Sequence, residues 1–250
     1  MNDFQPNIKT ALANADYYDQ LWPSLGRKLD YTEINRVRFI VDSLQEYIGH
    51  GKTQILDFGC GRGWMAPFLS PFGSIIAIDF SNVGIEFAKV NYGDFANFIL
   101  AKPDSNTLGL PPELKFDVII SSEVIEHVPN HSDYIDQISV FLKPNGWLIL
   151  TTPNGNVWSE FSAMPIYQSQ LQPIENWLTT DMLNKLLTEK GFKIYRHEGR
   201  PVYAFRKGFR GVLQRRTFWK LFRILNLESL YFKLILPTAL YQMVAAQKMK

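Results

Sequence analysis

Residues 55–63 read ILDFGCGRG, and this short stretch decides the fold that the sequence predicts. Four residues that can end a buried strand are followed by Gly59, Gly61 and Gly63 at every second position. A glycine inside a strand or a helix costs about 0.5–1 kcal/mol relative to alanine. Three glycines so close together therefore indicate a backbone that turns sharply, or one that another molecule approaches closely.

Strand and helix patterns alternate around this glycine loop. The predicted strands are residues 54–58, 75–80, 95–101, 116–121, 147–152 and 192–197. The predicted helices are 31–48, one that begins near Arg62, and three that Ser81, Ser132 and Thr180 can cap. Continuous apolar strands that alternate with helices indicate a mostly parallel sheet covered on both faces. We therefore predict a doubly wound α/β fold.

The composition is that of an ordinary globular protein, with 46% hydrophobic and 20% charged residues. We expect no secretory signal and no membrane span, because the sequence has neither an apolar leader pattern nor an apolar run of about 18 residues. Cys60 is the single cysteine, so an intramolecular disulfide is excluded, which fits a cytoplasmic location. With one cysteine and four histidines, we predict no metal site.

Charge is distributed unevenly along the chain. Residues 200–250 contain 11 lysines and arginines and one acid, Glu228, whereas the other 199 residues contain 15 basic and 23 acidic residues. Such a basic segment favours an anionic partner, and a solvated helix face is the alternative. We predict that 200–250 is a basic amphipathic helical extension that follows the sheet domain, 31–199.

Within this extension, residues 205–225 have the pattern of a basic amphipathic helix. Phe218, Leu221, Phe222 and Leu225 form an apolar stripe, and the basic residues lie largely off it. One interpretation, which we slightly favour, is that the stripe docks on the acidic body of the same protein. The other is peripheral contact with an anionic membrane, at its inner face.

The glycine loop lies between a strand and a helix, where bare backbone amides can meet the polar atoms of a ligand. Asp79 ends the next strand, 20 residues after Gly59, and can accept hydrogen bonds from the ribose hydroxyls of a nucleotide. Dinucleotide enzymes use G-x-G-x-x-G at this loop. Here the third glycine position is Trp64, which argues against an NAD-dependent oxidoreductase.

The D-x-G-x-G-x-G pattern of Asp57, Gly59, Gly61 and Gly63 resembles the first motif of the class I S-adenosylmethionine-dependent methyltransferases. The resemblance covers about residues 30–198 and continues through AIDFS (77–81), FDVIISSEVIEHVPN (116–130), FLKPNGWLILTTPN (141–154) and LTTDMLNKLLTEKGF (178–192). It is greatest to the small-molecule branch that includes ubiquinone-biosynthesis O-methyltransferases and sugar methyltransferases. It implies a Rossmann-like, mostly parallel seven-stranded sheet with helices on both faces.

The resemblance also implies a cofactor, S-adenosyl-L-methionine, with S-adenosyl-L-homocysteine as its product, and assigns residues to it. The loop of Gly59, Cys60 and Gly61, continued by Gly63, would hold the methionine portion, and Asp57 would orient its ammonium group. Asp79 would bind the ribose, Phe80 would lie against adenine, and Asp104 would face the adenine amino group, although the family's usual Gly-Asp pair is Pro103-Asp104 here. Ser121, Ser122 and Glu123 would line the cofactor and the substrate entrance. The alternatives are a local cap for Asp57 and simple packing for Phe80 and Cys60.

Two further segments are predicted to close the site. Residues 1–30 form an N-terminal lid segment in which Tyr17 and Tyr18 resemble the closing aromatic residues of some relatives. The irregular, aromatic-rich stretch 153–178 is predicted as a substrate lid, because long loops of this kind are often functional; its aromatic residues packing among themselves is the alternative.

Methyl transfer from a sulfonium needs alignment above all, and a hydroxyl acceptor also needs a base to remove its proton. The candidate catalytic residues are His127, His131 and Glu123, with Glu126 as a further candidate. His127 packing or capping in its own segment is the alternative to a catalytic role.

We predict a methyltransferase that acts on a small-molecule acceptor: a sugar, a phenol or quinone precursor, or a lipid-linked intermediate. A catalytically silent homologue that binds a membrane or a protein is the second hypothesis. Nucleic acid is not the expected partner, because SSEV (121–124) stands where base-modifying enzymes carry an Asn/Asp-Pro-Pro-aromatic motif. The sequence does not indicate an oligomeric state.

Overall fold

A computed structural model describes residues 8–22, 29–102, 107–162, 172–200, 211–212 and 215–249. Asp104 lies outside these ranges, and so do parts of the predicted N-terminal lid, of the predicted substrate lid and of the predicted basic segment 205–225.

Helices and strands alternate through most of the described chain. The helices are α1 (Ile8–Leu21), α2 (Tyr31–Tyr47), α3 (Ala66–Leu69), α4 (Asn82–Tyr92), α5 (His131–Phe141), α6 (Gly155–Ser162), α7 (Thr180–Glu189), α8 (Arg216–Ile224) and α9 (Glu228–Ile235). The strands are β1 (Thr53–Phe58), β2 (Gly73–Asp79), β3 (Asn97–Leu100), β4 (Phe116–Ser122), β5 (Leu142–Pro153), β6 (Phe192–Arg200) and β7 (Tyr241–Lys248). Short 3-10 helices span Ser70–Phe72, Ile125–His127 and Leu236–Thr238.

The seven strands form one sheet in the order β3-β2-β1-β4-β5-β7-β6. The first five are parallel, and β7 runs antiparallel to both of its neighbours. The last four residues of β1 are buried, as a strand in the middle of a sheet covered on both faces requires. Successive side chains of the strand point to opposite faces of the sheet. Leu56 packs in the core on one face, and Ile55 packs in the core on the other. These features confirm the predicted doubly wound α/β class.

The chain reverses its direction of winding between β1 and β4, which are neighbours in the sheet. Successive strands β1, β2 and β3 extend one way, and β4 and β5 extend the other way. In open parallel sheets, ligands bind beyond the carboxyl ends of the strands at this switch point. The glycine loop after β1 therefore stands at the expected ligand site.

Helix starts differ from the sequence predictions by a few residues. Asn130, not Ser132, caps α5: its Oδ1 accepts hydrogen bonds from the backbone N–H groups of Ser132 and Asp133, at 2.9 and 3.3 Å. Thr179, not Thr180, caps α7. In both cases the capping residue must precede the first helical turn in order to reach its free N–H groups.

The first helix after the glycine loop begins at Ala66 and not near Arg62. Gly61 and Gly63 both have positive φ, and turn hydrogen bonds join Gly63 N to Cys60 O and Ala66 N to Gly63 O. A helix needs a run of negative φ values, so it starts only after this turn. The predicted cap of α4 by Ser81 is confirmed, since its Oγ accepts from Gly84 N at 2.9 Å.

The seventh strand lies inside the predicted C-terminal extension. Residues Val244–Ala246 of β7 are fully buried between β5 and β6, so the sheet does not end at residue 199. Among the described residues of this extension, α8 and α9 are helical, as the sequence predicts. None of the described helices combines the length and the apolar character needed to cross a bilayer.

Candidate active site

A cavity of about 550 Å³ opens at the carboxyl ends of β1, β2 and β4. Its walls include eight of the site residues that the sequence predicts, namely Gly59, Cys60, Gly61, Asp79, Phe80, Ser122, Glu123 and His127. The switch point of the sheet thus brings residues from three separate motifs to one space.

The glycine loop is fixed to the end of β2 by its own backbone. Gly59 N and Cys60 N donate to Ile78 O at 2.8 and 3.0 Å, and Gly61 N donates to Asp79 Oδ2 at 2.8 Å. Cys60 is buried, and burial raises the pKa of its thiol well above the usual range. The thiol therefore stays protonated, as expected of a packing residue and not of a nucleophile.

Two glycines of the loop serve different purposes. A Cβ at Gly61 would lie 3.0 Å from the Trp22 ring, on the cavity side of the loop. A Cβ at Gly63 would lie 2.5 Å from the Phe98 ring, so this glycine permits close packing against β3 and α4. Gly61 makes room for the Trp22 ring at the cavity wall, whereas Gly63 permits packing inside the protein, and the glycine pattern alone does not distinguish the two roles.

Asp79 holds two backbone N–H groups and retains acceptor capacity. Its Oδ1 accepts from Ser81 N and its Oδ2 from Gly61 N, both at 2.8 Å. A carboxylate has about four acceptor positions, so further hydroxyl donors in the cavity can bind to it. Burial raises the pKa of Asp79, and the backbone hydrogen bonds oppose that rise.

Asp57 is a buried carboxylate whose two oxygens have no hydrogen-bond partner in the described chain. Burial, and then the charge of Asp79, raise its pKa to about 7. A local cap would show a hydrogen bond to a backbone N–H, which Asp57 does not make. The pair fits the cofactor that the resemblance implies, since Asp57 suits an ammonium group and Asp79 suits ribose hydroxyls.

Phe80 and Ser122 also line the cavity. Phe80 lines the cavity and also packs against the core on one face of the sheet, so both of its predicted roles remain open. Ser122 Oγ lies 2.9 Å from Thr151 Oγ1 on the neighbouring strand.

Glu123 follows β4 with a φ of +58°, and two contacts hold its side chain. Thr151 Oγ1 donates to Glu123 Oε1 at 2.9 Å, and Arg36 Nη1 lies 3.5 Å from Glu123 Oε2. Burial raises the pKa of Glu123, and the charge of Arg36 opposes this. Arg36 also lines the cavity. The sequence analysis missed it, because a polar residue in an amphipathic helix gives no signal of its own.

His127 faces the same cavity with one ring nitrogen engaged. Its Nδ1 lies 2.9 Å from Ile174 O, and a carbonyl only accepts, so Nδ1 carries the proton and Nε2 keeps a lone pair. Nε2 lies 3.6 Å from Glu126 Oε1. Burial lowers the pKa of His127 to about 4, so the ring is neutral at neutral pH.

Glu126 is buried beside this histidine. Thr152 Oγ1 donates to its Oε2 at 2.9 Å. Burial, and then the charge of Glu123, raise the pKa of Glu126 well above the usual range. This carboxyl therefore favours its protonated form.

Five of the predicted site residues that the structure describes are not among the residues that line the cavity: Asp57 and Gly63, described above, and His131, Ser121 and Tyr17. His131 Nε2 lies 3.0 Å from Asn176 O at the start of α5. Ser121 is buried, with its Oγ 2.8 Å from the hydroxyl of Tyr134, whose ring does line the cavity. The ring of Tyr17 packs edge-on against Tyr18, with centroids 5.4 Å apart.

Helix α1 covers the cavity where the N-terminal lid is predicted. Tyr18 and Trp22 stack with ring centroids 4.9 Å apart, and both line the cavity. The Tyr18 hydroxyl donates to Gln172 Oε1 at 2.7 Å, and Asn14 Nδ2 donates to His127 O at 3.0 Å. The sequence analysis missed Trp22. Its i, i+4 spacing from Tyr18 is the signal that identifies it, once the segment is known to be helical.

Comparison with known proteins adds an independent line of observation. A family described as "Methyltransferase domain" matches residues 15–197. A ubiquinone biosynthesis O-methyltransferase of Bradyrhizobium diazoefficiens is 29% identical over 161 residues, which cover 63% of this chain and 62% of that protein. The chain therefore spans less than two thirds of that relative's length. The mitochondrial ubiquinone biosynthesis O-methyltransferase of Schizosaccharomyces pombe is 25% identical, over 76% of this chain and 75% of that protein.

A solved structure shares the fold. The plantazolicin methyltransferase BpumL, crystallised with a monoazolic desmethylPZN analog and SAH, superposes with a TM-score of 0.62. The two chains are 20% identical, and the match covers 97% of this chain and 96% of the other. At this identity the likeness shows the fold alone.

Proposed function

Because the chain belongs to this methyltransferase domain family, we propose that it transfers a methyl group from S-adenosyl-L-methionine to a hydroxyl oxygen of a small-molecule acceptor. One observation carries the proposal. A single cavity joins the glycine loop and Asp79 on one side to Glu123 and His127 on the other. When bound, S-adenosyl-L-methionine supplies a methyl group made electrophilic by a positively charged sulfur.

In this proposal the first wall of the cavity binds the cofactor. Asp57, which is buried and is not itself a lining residue, pairs with the ammonium group from the end of β1, and Asp79 accepts hydrogen bonds from the ribose hydroxyls. The backbone of the glycine loop holds the methionine portion, with Trp22 packed over Gly61, and Phe80 packs against adenine. The raised pKa of Asp57 supports this role, because a buried carboxylate without a partner gains most from a cation.

On the opposite side, His127 acts as the general base. It is neutral, and its Nε2 lone pair is not committed to a backbone group. After Nε2 takes the proton of the acceptor hydroxyl, the imidazolium lies 3.6 Å from Glu126 Oε1, and its positive charge favours ionisation of that carboxyl, which is otherwise protonated; the resulting carboxylate stabilises the imidazolium. Glu123 is less suited to be the base, because Arg36 and Thr151 hold its carboxylate; it orients the acceptor.

The names of the curated relatives favour a phenolic or quinone-precursor hydroxyl as the acceptor. Sugars and lipid-linked intermediates remain in the same proposed class. A cytoplasmic location, with contact at the inner membrane face, is part of the proposal.

Calorimetric titration of the purified protein with S-adenosyl-L-homocysteine and with NADH tests the cofactor assignment. We expect micromolar binding of the first ligand and none of the second. Asp79→Ala should remove the binding. Asp94→Ala, which changes an exposed aspartate between α4 and β3, should not. Thermal unfolding of each variant checks that the fold persists. A folded protein that does not bind the ligand would instead support a catalytically silent homologue.

Turnover of a labelled methyl donor with a panel of phenols and sugars tests the base. His127→Ala should lower turnover by about 10²- to 10⁴-fold while the affinity for S-adenosyl-L-homocysteine changes little. His131→Ala is the matched control, because this histidine lies four residues away and does not line the cavity. Unchanged turnover in His127→Ala would remove His127 as the base.

A further inference from the structure

Helices α8 and α9 form a hairpin whose outer face is apolar and exposed. Ile224 is 82% exposed, and five leucines of the hairpin are between 42% and 57% exposed. These leucines are Leu221, Leu225, Leu227, Leu230 and Leu234. Single exposed apolar residues are normal, but a contiguous group of this kind marks an interaction surface.

The inner face of the hairpin is fully occupied. Phe218, Trp219 and Phe222 of α8 pack against a buried cluster of α9 that contains Tyr231 and Phe232. The apolar stripe predicted for residues 205–225 is therefore divided: Phe218 and Phe222 pack against α9, while Leu221 and Leu225 stay exposed. Docking on the protein's own body accounts for only half of the stripe.

The hairpin is also attached firmly to the rest of the protein. Arg38 Nη2 of α2 lies 3.3 Å from Glu228 Oε2, and the guanidinium of Arg200 lies 3.7 Å from the centre of the Phe232 ring. Two other residues of α2, Glu33 and Arg36, line the cavity. The hairpin that carries the exposed face therefore contacts α2, the helix that supplies Glu33 and Arg36 to the cavity.

Positive charge surrounds the exposed leucines. Arg215, Lys220, Arg223 and Lys233 are exposed, and Glu228, which faces Arg38, is the single acid of residues 200–250. A surface that combines apolar side chains with a basic border suits a lipid interface, where the apolar groups enter the headgroup boundary and the cations meet anionic headgroups.

We propose that the outer face of the α8–α9 hairpin is a docking surface for an anionic membrane. Ile224, Leu225 and Leu230 insert into the interface, and Lys220 and Lys233 contact headgroups. The surface is separate from the methyl-transfer residues, so the inference holds or fails independently of the proposed reaction.

Sedimentation of the full chain with vesicles tests this surface. Vesicles that contain phosphatidylglycerol and phosphatidylcholine should bind the protein, and vesicles of phosphatidylcholine alone should bind it much less. The triple variant Ile224→Gln, Leu225→Gln, Leu230→Gln should lose about tenfold or more in partition coefficient. The matched control is Val90→Gln, Val140→Gln, Met182→Gln, which changes equally exposed apolar residues on α4, α5 and α7 and should bind as the wild type does.

Charge is tested separately. Lys220→Gln with Lys233→Gln should weaken binding by roughly fivefold per lysine at low salt, whereas Lys52→Gln with Lys185→Gln should not. Thermal unfolding at the wild-type temperature shows that each variant is folded. Equal vesicle binding by the hairpin triple variant and the wild type overturns the proposal. A self-association seen by analytical ultracentrifugation and lost in that variant, without vesicle binding, also overturns it and assigns the face to a second copy of the chain.

Discussion

Two buried carboxylates, Asp57 and Glu198, show how differently this protein treats negative charge in two regions. Both are almost inaccessible to solvent. Glu198 on β6 accepts hydrogen bonds from Arg196 Nε and Nη2 at 2.8 and 3.1 Å, and Arg200 Nη1 lies 3.2 Å from its Oε2. Asp57 on β1 has no hydrogen-bond partner at all among the described residues.

The difference separates a structural charge from a binding charge. Two arginines neutralise Glu198, and Ser229 Oγ donates to it at 3.2 Å, so α9 is tied to β6 through a charge network in which the Arg200 guanidinium makes an ion pair but no hydrogen bond. Asp57 instead keeps a pKa of about 7, because nothing in its surroundings compensates for burial. In the proposed function, a carboxylate of this second kind receives a cation that arrives from outside the chain.

The largest expected effect breaks the structural charge. Glu198→Gln leaves the buried guanidinium of Arg200 without its counter-charge and leaves Arg196 with only its longer pairs to Asp42 and Glu46. We expect the free energy of unfolding to fall by about 3–5 kcal/mol. Urea denaturation measures the change. Glu189→Gln is the control, since its pair with Lys185 is exposed and should contribute less than about 0.5 kcal/mol. Equal losses in the two variants would show that burial does not distinguish these pairs.

Next in size is the loss of the binding charge. Asp57→Asn should lower the affinity for S-adenosyl-L-homocysteine about ten- to a hundredfold, because a hydrogen bond to a charged partner contributes about 1.5–3 kcal/mol. Calorimetry measures it. Asp117→Asn removes a carboxylate at the opposite end of β4, where it accepts from Gln54 N and pairs with Lys143, and should leave the affinity unchanged.

Asp57→Asn should also stabilise the unliganded protein at alkaline pH. The pKa of Asp57 is raised in the folded state, so its favourable contribution is present below the unfolded pKa of about 4 and is lost as pH rises through about 7. The stability of Asp57→Asn lacks this pH dependence, because an amide does not titrate. At pH 8 we expect its free energy of unfolding to exceed that of the wild type by about 1 kcal/mol, a figure that includes the cost of burying an unpaired amide. Melting curves between pH 5 and 8 should show the two proteins diverge as pH rises. Parallel curves would contradict the raised pKa.

The smallest effect concerns protons released on binding. A cationic ligand should deprotonate Asp57, so at pH 6, about one unit below its pKa, the titration should release close to one proton, and at pH 8.5 almost none. Titrations in two buffers of different ionisation enthalpy measure this number. Release that persists unchanged in Asp57→Asn would assign the proton to another group, such as Asp79.

Sequence patterns were sufficient to predict the parallel strands, the glycine loop and the family, because each of these has a local signature in the residues themselves. Apolar runs between helix patterns predicted the five parallel strands, and the glycines and Asp79 at the ends of two of them added residue types that suit a ligand-binding turn. The family resemblance was confirmed for the same reason, since it depends on several such segments in a fixed order.

Long-range pairing was harder to predict. The sequence analysis did not identify the strand at 241–248, because its order in the sheet is set by partners about fifty and a hundred residues earlier. Trp22 and Arg36 were missed because helices carry them into the cavity by tertiary packing, which no local pattern encodes. The N-cap of α5 is Asn130 and not the predicted Ser132, because several neighbouring residues can cap a helix and the backbone geometry selects one of them.

The position of β7 has a consequence for how the chain is made. In the described sheet β6 pairs only with β7, and about forty residues, which include the α8–α9 hairpin, separate these strands. At a translation speed of about 5–20 residues per second, β6 leaves the ribosome seconds before its partner is synthesised. During that interval β5 and β6 both present unpaired strand edges, which are the surfaces most prone to wrong pairing. Slowing translation after residue 200 should therefore lower the soluble yield of this protein more than slowing it before residue 142.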